Sequence, residues 1–510
     1  MRIEQTEKVI FIDDLGAFAE SARAQGKKIV HCHGVFDLLH IGHIKHLEAA
    51  RMLGDLLLVT VTPDRYVNKG PHRPAFHEVM RAEALAALSS VDAVAVNSWP
   101  TAVEAIQIIR PDFYVKGQVP TEGKRDYTDA ISLEEEAVVN VGGKLILTDE
   151  KTFSASEYIN RFIDIFTPEA KRFLERFRKK YSAEEVIGYL QKCASLRIMT
   201  IGETIIDEYR FCDALGKSNK EPVLAVLSKQ KEVYSGGIAA VANHVANFCD
   251  SVSMVSFLGE DWAYKEFLAD AMNDNVKPLF FSKKGAPTIV KRRYVEEYLG
   301  TKLFEVYEME HINGDIVMER QIISALEESL DDIDVVIVAD YGHGLFSEPI
   351  IRHLCDKAKF LAVNTQTNAG NMGFNVITKY PHADYVSIAE PEVRLANHDF
   401  HTDLKVLVEK TAEKMGYPKM IVTRGKKGAV YYDRNKDFLE TPAFSVKLVD
   451  RIGAGDAVLA ITAPLIALGT PMDIVGFIGS VVGAEACAIM GNKSSVEPSN
   501  LYRHISSLMK

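Results

Sequence analysis

Cysteine is scarce and scattered in this chain, with six residues at positions 32, 193, 212, 249, 355 and 487, no C-x-x-C pair and no Cys/His cluster at zinc-finger spacing. That pattern excludes a disulfide scaffold and a structural zinc site, and leads us to expect reduced, mostly buried thiols in a cytoplasmic protein. No run of about eighteen uninterrupted apolar residues occurs, so no membrane span is expected. The opening MRIEQTEKVIFIDDL carries acidic residues and lacks an apolar core of signal-peptide length, so export is not expected either. A basic excess is missing as well. The formal net charge of −11 argues against a general nucleic-acid binder, while leaving room for a local basic pocket that takes phosphate. Tandem repeats and low-complexity tracts are absent too.

What the chain does have is length and rhythm. Its 510 residues, 47% hydrophobic and 25% charged, exceed what one ordinary core organises. Short β-branched runs (KKIVHCHGVFDLL, GDLLLVTVT, VDAVAVNS, PDFYVKG) alternate with helical stretches such as HIKHLEAARML, which reads as βαβ units on a parallel sheet. A second such rhythm starts at LRIMTIGETIIDEY. Between them TPEAKRFLERFRKKYSAEEVIGYLQKC has few turn residues and apolar positions at helical spacing, so one or two helices forming a rigid link are expected. The division is therefore residues 1–165, a helical connector 166–194, and residues 195–510. In the last part, EPVLAVLSKQKEVYSGG and TIVKRRYVEEYLGTKLFEVYEME read as extended segments of a small accessory sheet or lid.

Residues 33–47, HGVFDLLHIGHIKHL, hold four histidines. A strand leaves the sheet at Gly34 and a helix follows, which places His40 and His43 near the helix N-terminus. Backbone N–H groups and the positive end of the helix dipole make that place an anion site, and Gly42 lets phosphate approach. Two imidazoles there can donate hydrogen bonds to phosphoryl oxygens as charge grows on them. Alone, H-x-G-H also fits a histidine-rich helix start with no ligand.

With its context, the stretch resembles the cytidylyltransferase-like nucleotidyltransferases. The motifs are Gly34-Val35-Phe36-Asp37, His40-Ile41-Gly42-His43 and, for a later S-T-S/T element, Ser154-Ala155-Ser156; the likeness runs over about residues 9–163 and takes in Asp64, Arg81 and Lys116. The resemblance implies that His40 and His43 act on the nucleotide phosphates, that Lys45, Lys69, Arg81 and Lys116 hold the triphosphate with Mg²⁺, and that Gly34, Phe36, Asp37, Gly42, Ser154 and Ser156 complete the nucleotide site. Class I aminoacyl-tRNA synthetases share a HIGH string, but this chain has no K-M-S-K-S loop.

The second chemical stretch is DRIGAGDAVLAITAPLIALG. Gly453, Ala454 and Gly455 free the backbone to wrap an anion, and Asp456 stands in the first turn of an apolar helix, where it can take a proton from a substrate hydroxyl. On its own, G-A-G-D also fits a glycine-rich helix entry. Its surroundings YSGGIAAVANHVANF, VADYGHGLF and IVTRGKKGAVYYD resemble, in order and spacing over about residues 195–505, the ribokinase-like (PfkB) sugar kinases, nearest the heptose-phosphate type. That implies Asp456 as base, Gly453, Ala454 and Gly455 as anion hole, and Thr423, Arg424 and Gly425 beside the nucleotide. It also implies Glu203, Asp207, Gly236 and Gly237 on the sugar side, Glu392 toward the metal, and Asp340 at a strand end facing the cleft.

The chain departs from that pattern at Glu203 where an aspartate is usual, at Ala240 where an asparagine is, at Asn364-Thr365-Gln366 in place of D-P-K, and at Ala389-Glu390-Pro391-Glu392 in place of N-x-x-E. Residues 364–375, NTQTNAGNMGFN, look like a loop built to hydrogen-bond something polar.

Together the halves resemble the bifunctional heptose-phosphate kinase/nucleotidyltransferases of ADP-heptose synthesis, with the domain order reversed. The expected fold is α/β: a Rossmann-like transferase domain, then a ribokinase-like domain with an accessory β-sheet lid. The resemblance implies a cytoplasmic enzyme, a homo-oligomer such as a dimer, that takes sugar phosphate, ATP and CTP with Mg²⁺ and touches neither nucleic acid nor membrane. Two readings of the second half stay open: an active kinase with an altered sugar pocket, and a non-catalytic kinase fold that binds a ligand or oligomerises beside a monofunctional transferase.

Overall fold

The computed structural model describes residues 8–67, 74–117, 130–148, 166–298, 300–310, 315–444 and 449–510. Lys69, Ser154 and Ser156 lie outside them. The chain divides into two compact units: residues 1–167, 177–184 and 502–510 form one, and residues 168–176 and 185–501 the other.

The first unit is built on a five-stranded parallel sheet. Its strands are β1 (Ile29–Gly34), β2 (Leu56–Val61), β3 (Ala93–Val96), β4 (Phe113–Gly117) and β5 (Lys144–Thr148), in the order β3-β2-β1-β4-β5. Helices α1 (Ile12–Ala24), α2 (Ile41–Arg51), α3 (Glu78–Ala86), α4 (Val103–Ile109) and α5 (Ala130–Asn140) intervene. Both faces of the sheet are covered, so its strands read as near-continuous apolar runs rather than alternating ones. On one face Val30, Cys32 and Val59 pack with Leu47 and Leu85, and on the other Ile29 and Leu58 pack with Leu15 and Ile109. Strand order reverses at β1, and a doubly wound sheet opens its ligand crevice at the carboxyl ends beside such a switch point. The loop from Gly34 into α2 is located there.

The expected helical stretch is present as α6 (Pro168–Arg178) and α7 (Ala183–Gln191). The second unit carries a nine-stranded sheet in the order β10-β9-β6-β13-β14-β15-β16-β17-β18, parallel as far as β16, with β17 and β18 antiparallel. The strands are β6 (Arg197–Gly202), β9 (Ser251–Gly259), β10 (Val276–Lys283), β13 (Val335–Asp340), β14 (Leu361–Thr365), β15 (Tyr385–Ala389), β16 (Lys419–Thr423), β17 (Ala429–Asp433) and β18 (Lys436–Thr441). The segments expected to make an accessory sheet do so, as four strands in the order β12-β11-β7-β8: β7 (Thr204–Lys217), β8 (Leu224–Gly237), β11 (Val290–Glu296) and β12 (Thr301–Glu308).

The helices of the second unit include α8 (Ile238–Ala246), α9 (Lys265–Ala271), α10 (Ile316–Ser329), α11 (Glu348–Lys357), α12 (Glu390–Asn397), α13 (Leu404–Met415), α14 (Ala454–Ala467), α15 (Met472–Ala486) and α16 (Pro498–Leu508), whose end belongs to the first unit. Helix α14 is apolar all round and buried from Asp456 to Ile466. A helix of that kind has to lie inside its unit, and only its first turn is left to face a ligand.

Candidate functional site

In the first unit, the loop between β1 and α2 holds two non-glycine residues in the left-handed region, Phe36 at φ 48° and Leu38 at φ 51°. Each costs roughly 1–2 kcal/mol, so the surroundings must hold the turn in place. The Asp37 carboxylate accepts the amide N–H of Ala75 (2.9 Å) and of Phe76 (3.2 Å). Arg81, almost fully buried, donates to the carbonyls of Val35, of Phe76 (2.9 Å) and of Thr62 (2.8 Å), and to Asp64 Oδ1 (2.6 Å). Asp37 thus ties the turn to the backbone at 75–76, and Arg81 ties it to three carbonyls and to the Asp64 carboxylate.

His40 caps α2, its Nδ1 accepting the Gly42 N–H at 3.1 Å. Burial lowers the pKa of this ring, so it is neutral near pH 7 and carries its proton on Nε2, the arrangement of a hydrogen-bond donor. His43 stacks on it with ring centroids 3.9 Å apart, and the Phe36 ring meets His43 edge-on at 5.5 Å. Gly34 lies against the Phe36 ring, which a Cβ would approach to 3.2 Å. Lys45 is exposed on α2. Lys116 is held by Glu134 at 2.8 Å, and Glu134 also accepts the Tyr114 hydroxyl.

Sequence reasoning missed a buried polar set under these residues. Thr60 Oγ1 lies 2.8 Å from both His31 Nε2 and His33 Nδ1, and Thr62 Oγ1 lies 3.1 Å from His33 Nε2. His46 Nδ1 meets Thr148 Oγ1 at 2.9 Å. Burial, then the Lys116 charge, lowers the pKa of all three rings, to about 3 at His31 and about 4 at His46. They are neutral hydrogen-bond partners. The H-C-H and T-V-T alternation on neighbouring strands was the available signal.

In the second unit, Gly453 caps α14 at φ 80°, and a Cβ on it would come within 2.3 Å of Asn492 Oδ1. Nothing lies within 4 Å of the Cβ position of Gly455, and the Ala454 N–H leans on the Arg451 carbonyl at 3.5 Å. Asp456 is buried, and its pKa is raised to about 7. Desolvation is the largest cause and the Asp207 charge adds to it, while the Tyr341 hydroxyl and Lys291 pull the other way. That hydroxyl is buried and not aligned for a hydrogen bond. A carboxyl poised near neutrality is what a general base requires.

Asp207, on β7, is held by Arg293 Nη1 and by Asn492 Nδ2 at 2.8 Å. The paired glycines let β8 come in beside it: a Cβ on Gly236 would lie 2.1 Å from Asp207 Oδ2, and one on Gly237, at φ 58°, 2.3 Å from the Glu203 carbonyl. The fully buried Glu203 carboxylate accepts the N–H groups of Tyr341 and His343 at 2.9 Å and of Leu345 at 3.4 Å, and so shapes the loop that carries Tyr341. Asp340 is also turned inward, bonded to the Tyr380 hydroxyl (2.6 Å) and Lys379 (2.5 Å) rather than facing the cleft.

Thr423, Arg424 and Gly425 line a cavity of about 750 Å³ together with Ala389, Glu390, Arg394 and Phe400. Arg424 pairs there with Glu440 at 3.3 Å and lies 3.6 Å from Glu390. Glu392 has both oxygens on backbone amides, Thr367 at 3.0 Å and Ala389 at 2.6 Å. Burial raises its pKa to about 7, and the Asp456 charge adds to the rise. Among the described residues no cluster of three His, Cys, Asp or Glu side chains is placed to hold a metal ion. A Mg²⁺ that comes with nucleotide phosphates keeps several waters and needs only one or two carboxylates, so the lone Glu392 fits such an ion.

Several side-chain amides of the polar loop at 364–375 bond to the protein, while Asn364 Oδ1 and Thr365 Oγ1 are buried without a hydrogen-bond partner among the described residues. Asn368 and Asn371 each donate to the Tyr341 carbonyl at 2.9 Å, Asn371 also to Gln366, and Asn375 to the Asp340 carbonyl at 2.7 Å. Asn364 Nδ2 is taken by Ser387 at 2.6 Å. The Asn368, Asn371 and Asn375 side chains thus tie this loop to the ends of β13 and β14.

A helix start lined with glycine, a near-neutral aspartate inside it and an accessory sheet beside the main one are the features a ribokinase-like fold presents. Residues 195–499 match the pfkB family carbohydrate kinases, and the chain belongs to that family; residues 31–162 match the cytidylyltransferase-like family. The chain is 44% identical over 147 residues, 28% of its length and 29% of the relative's, to the bifunctional protein HldE of Methylobacillus flagellatus. It is 25% identical over 307 residues to HldE of Bradyrhizobium diazoefficiens, covering 59% of this chain and 61% of that one. Each match thus spans less than two thirds of the relative. Among solved structures, phosphofructokinase-2 from Escherichia coli shares the fold at 15% identity with a TM-score of 0.51, over 62% of this chain and all of the other.

Proposed function

We propose that the chain is a two-step enzyme of nucleotide-activated sugar synthesis, with residues 195–510 phosphorylating a heptose-like sugar phosphate and residues 1–165 joining a sugar phosphate to a nucleotide. The family matches at 31–162 and 195–499 support those boundaries, with 166–194 as connector. The observation that carries the kinase step is Asp456 in the first turn behind Gly453, with a pKa about 7 and the fixed Asp207 carboxylate nearby.

In that step Asp456 takes the proton of the sugar hydroxyl, the oxygen forms a bond to the γ-phosphorus of ATP, and the bond to the β–γ bridging oxygen breaks to release ADP. The amides of Ala454 and Gly455 face the transferring group. In the transferase step a sugar-phosphate oxygen attacks the α-phosphorus of CTP or ATP and pyrophosphate leaves. His40, kept neutral by burial, and His43 beside it donate to the phosphoryl oxygens as charge builds on them. Glu392 would be the residue of this chain nearest in role to a nucleotide-borne Mg²⁺, which would supply charge neutralisation on the phosphates.

The reading includes a cytoplasmic homodimer. No helix of the described residues is long and apolar enough to cross a membrane, and Leu215, Leu224, Leu227 and Val306 on the accessory sheet are exposed. The second reading, a transferase carrying a non-catalytic kinase fold, is favoured by Ala389, which puts a methyl group at the start of α12 where the family has an amide. ADP release from Mg·ATP against a panel of heptose phosphates, comparing wild type with Asp456→Asn, separates them. Release that depends on Asp456 supports the two-step enzyme, and pyrophosphate release alone supports the second reading.

A further inference from the structure

One side chain touches both the sugar side and the anion hole of the kinase site, and no motif singled it out. Asn492 lies in the loop after α15. Its Nδ2 donates to Asp207 Oδ2 at 2.8 Å, while Arg293 holds the other oxygen of that carboxylate. Its Oδ1 overlies Gly453, at 2.3 Å from where a Cβ would stand. Asn492 also lines a cavity of about 320 Å³ shared with Ser235, Ala240 and Asn243.

The loop that carries it is pinned independently. The Gly491 N–H donates to Asp450 Oδ2 at 3.1 Å, and Gly491, at φ 52°, lies flat on the Tyr209 ring, where a Cβ would come within 2.7 Å of the hydroxyl. Asp450 also accepts the Tyr209 hydroxyl (2.8 Å) and the Lys302 ammonium (2.6 Å), so β7, β12 and the turn into α14 meet at one carboxylate. Asn492 therefore projects from an anchored base. Without it, Asp207 would be held by Arg293 alone, and Arg293 also bonds to Glu305 at 3.1 Å.

We infer that Asn492 is a positioning residue of the kinase, fixing the Asp207 carboxylate against the glycine turn so that the acceptor hydroxyl lies in line with the transferring phosphoryl group. The inference rests on the kinase reading above. In-line transfer depends on placement, and a displacement of about 1 Å can cost roughly 10²-fold in rate.

The test is steady-state kinetics of the full chain with Mg·ATP and the heptose 7-phosphate that gives the fastest ADP release, with pyrophosphate release recorded as a check on folding. In Asn492→Ala, kcat falls about 10–100-fold while the KM for ATP stays at the wild-type value. In Asn492→Asp, which keeps the size but turns a like charge toward Asp207, the KM for the sugar phosphate rises above that of the alanine variant. Values within about twofold of wild type in both variants, or a KM for ATP that moves in step with kcat, overturn the inference while leaving the kinase reading intact. If wild type releases no ADP, calorimetric binding of the same sugar phosphate decides. Weaker binding by Asn492→Ala than by wild type supports the contact, and equal binding or none overturns it.

Discussion

Two helix starts in this protein are built for anions by opposite means. At α2 the cap is a side chain, His40, and the turn before it is forced through two strained non-glycine residues that Asp37 and Arg81 hold in place. At α14 the cap is Gly453 itself, the turn is relaxed, and the buried charge is an aspartate with nothing to neutralise it fully. Both offer backbone N–H groups and a favourable dipole. What differs is the proton. At α2 the His40 ring, kept neutral by burial and with Nδ1 on the Gly42 N–H, is set to donate from Nε2, which suits displacement at a phosphorus by an oxyanion that needs no base. A carboxyl with pKa about 7 at α14 can accept a proton, which suits attack by a neutral hydroxyl.

The largest effect that would break this contrast is at Asp456. Asp456→Asn is expected to lower ADP release about 10²–10⁴-fold. The same change should stabilise the fold above neutral pH. The folded pKa, about 7, exceeds that of an unfolded aspartate, so the stability linked to this proton is full at low pH and lost as pH rises through 7. Denaturant unfolding at pH 8 should show the variant more stable by roughly 2–4 kcal/mol, with no difference at pH 4.

Arg81→Met comes next. It leaves the Asp64 carboxylate and three carbonyls without their donor, at a cost of about 3–5 kcal/mol, and the first unit should melt early with pyrophosphate release lost and ADP release kept. Gly453→Ala adds a left-handed alanine and a clash with Asn492, worth about 1–2 kcal/mol in thermal unfolding, together with a large loss of ADP release. Thr60→Val, which takes the shared oxygen from His31 and His33, should cost about 1–3 kcal/mol and change pyrophosphate release only a few-fold.

What could be read in advance follows the range of the interactions. G-A-G-D, the paired glycines at 236 and 237 and H-x-G-H are local, because positive φ, close strand approach and helix capping are satisfied within a few residues. The accessory sheet was legible from its charged extended segments, and the linking helices from their periodicity. For Glu203, Asp37 and Arg81 the motifs pointed to a ligand and gave no sign of the protein partners the structure shows. Those partners stand far along the chain, Tyr341 for Glu203 and Ala75 for Asp37, and no spacing rule reaches that distance. In the loop at 364–375 the Asn371 and Asn375 amides likewise turn out to bond to the ends of β14 and β13. Asn492 went unnoticed because it acts by joining two sites that the sequence presents separately.

The central claim, that the chain carries two phosphate chemistries divided by their proton requirement, is tested most directly by measuring ADP and pyrophosphate release on the same preparations of wild type, His43→Ala and Asp456→Asn. The account predicts that each substitution abolishes one release and leaves the other at the wild-type rate. Loss of both releases from either substitution, or loss of neither, would contradict it.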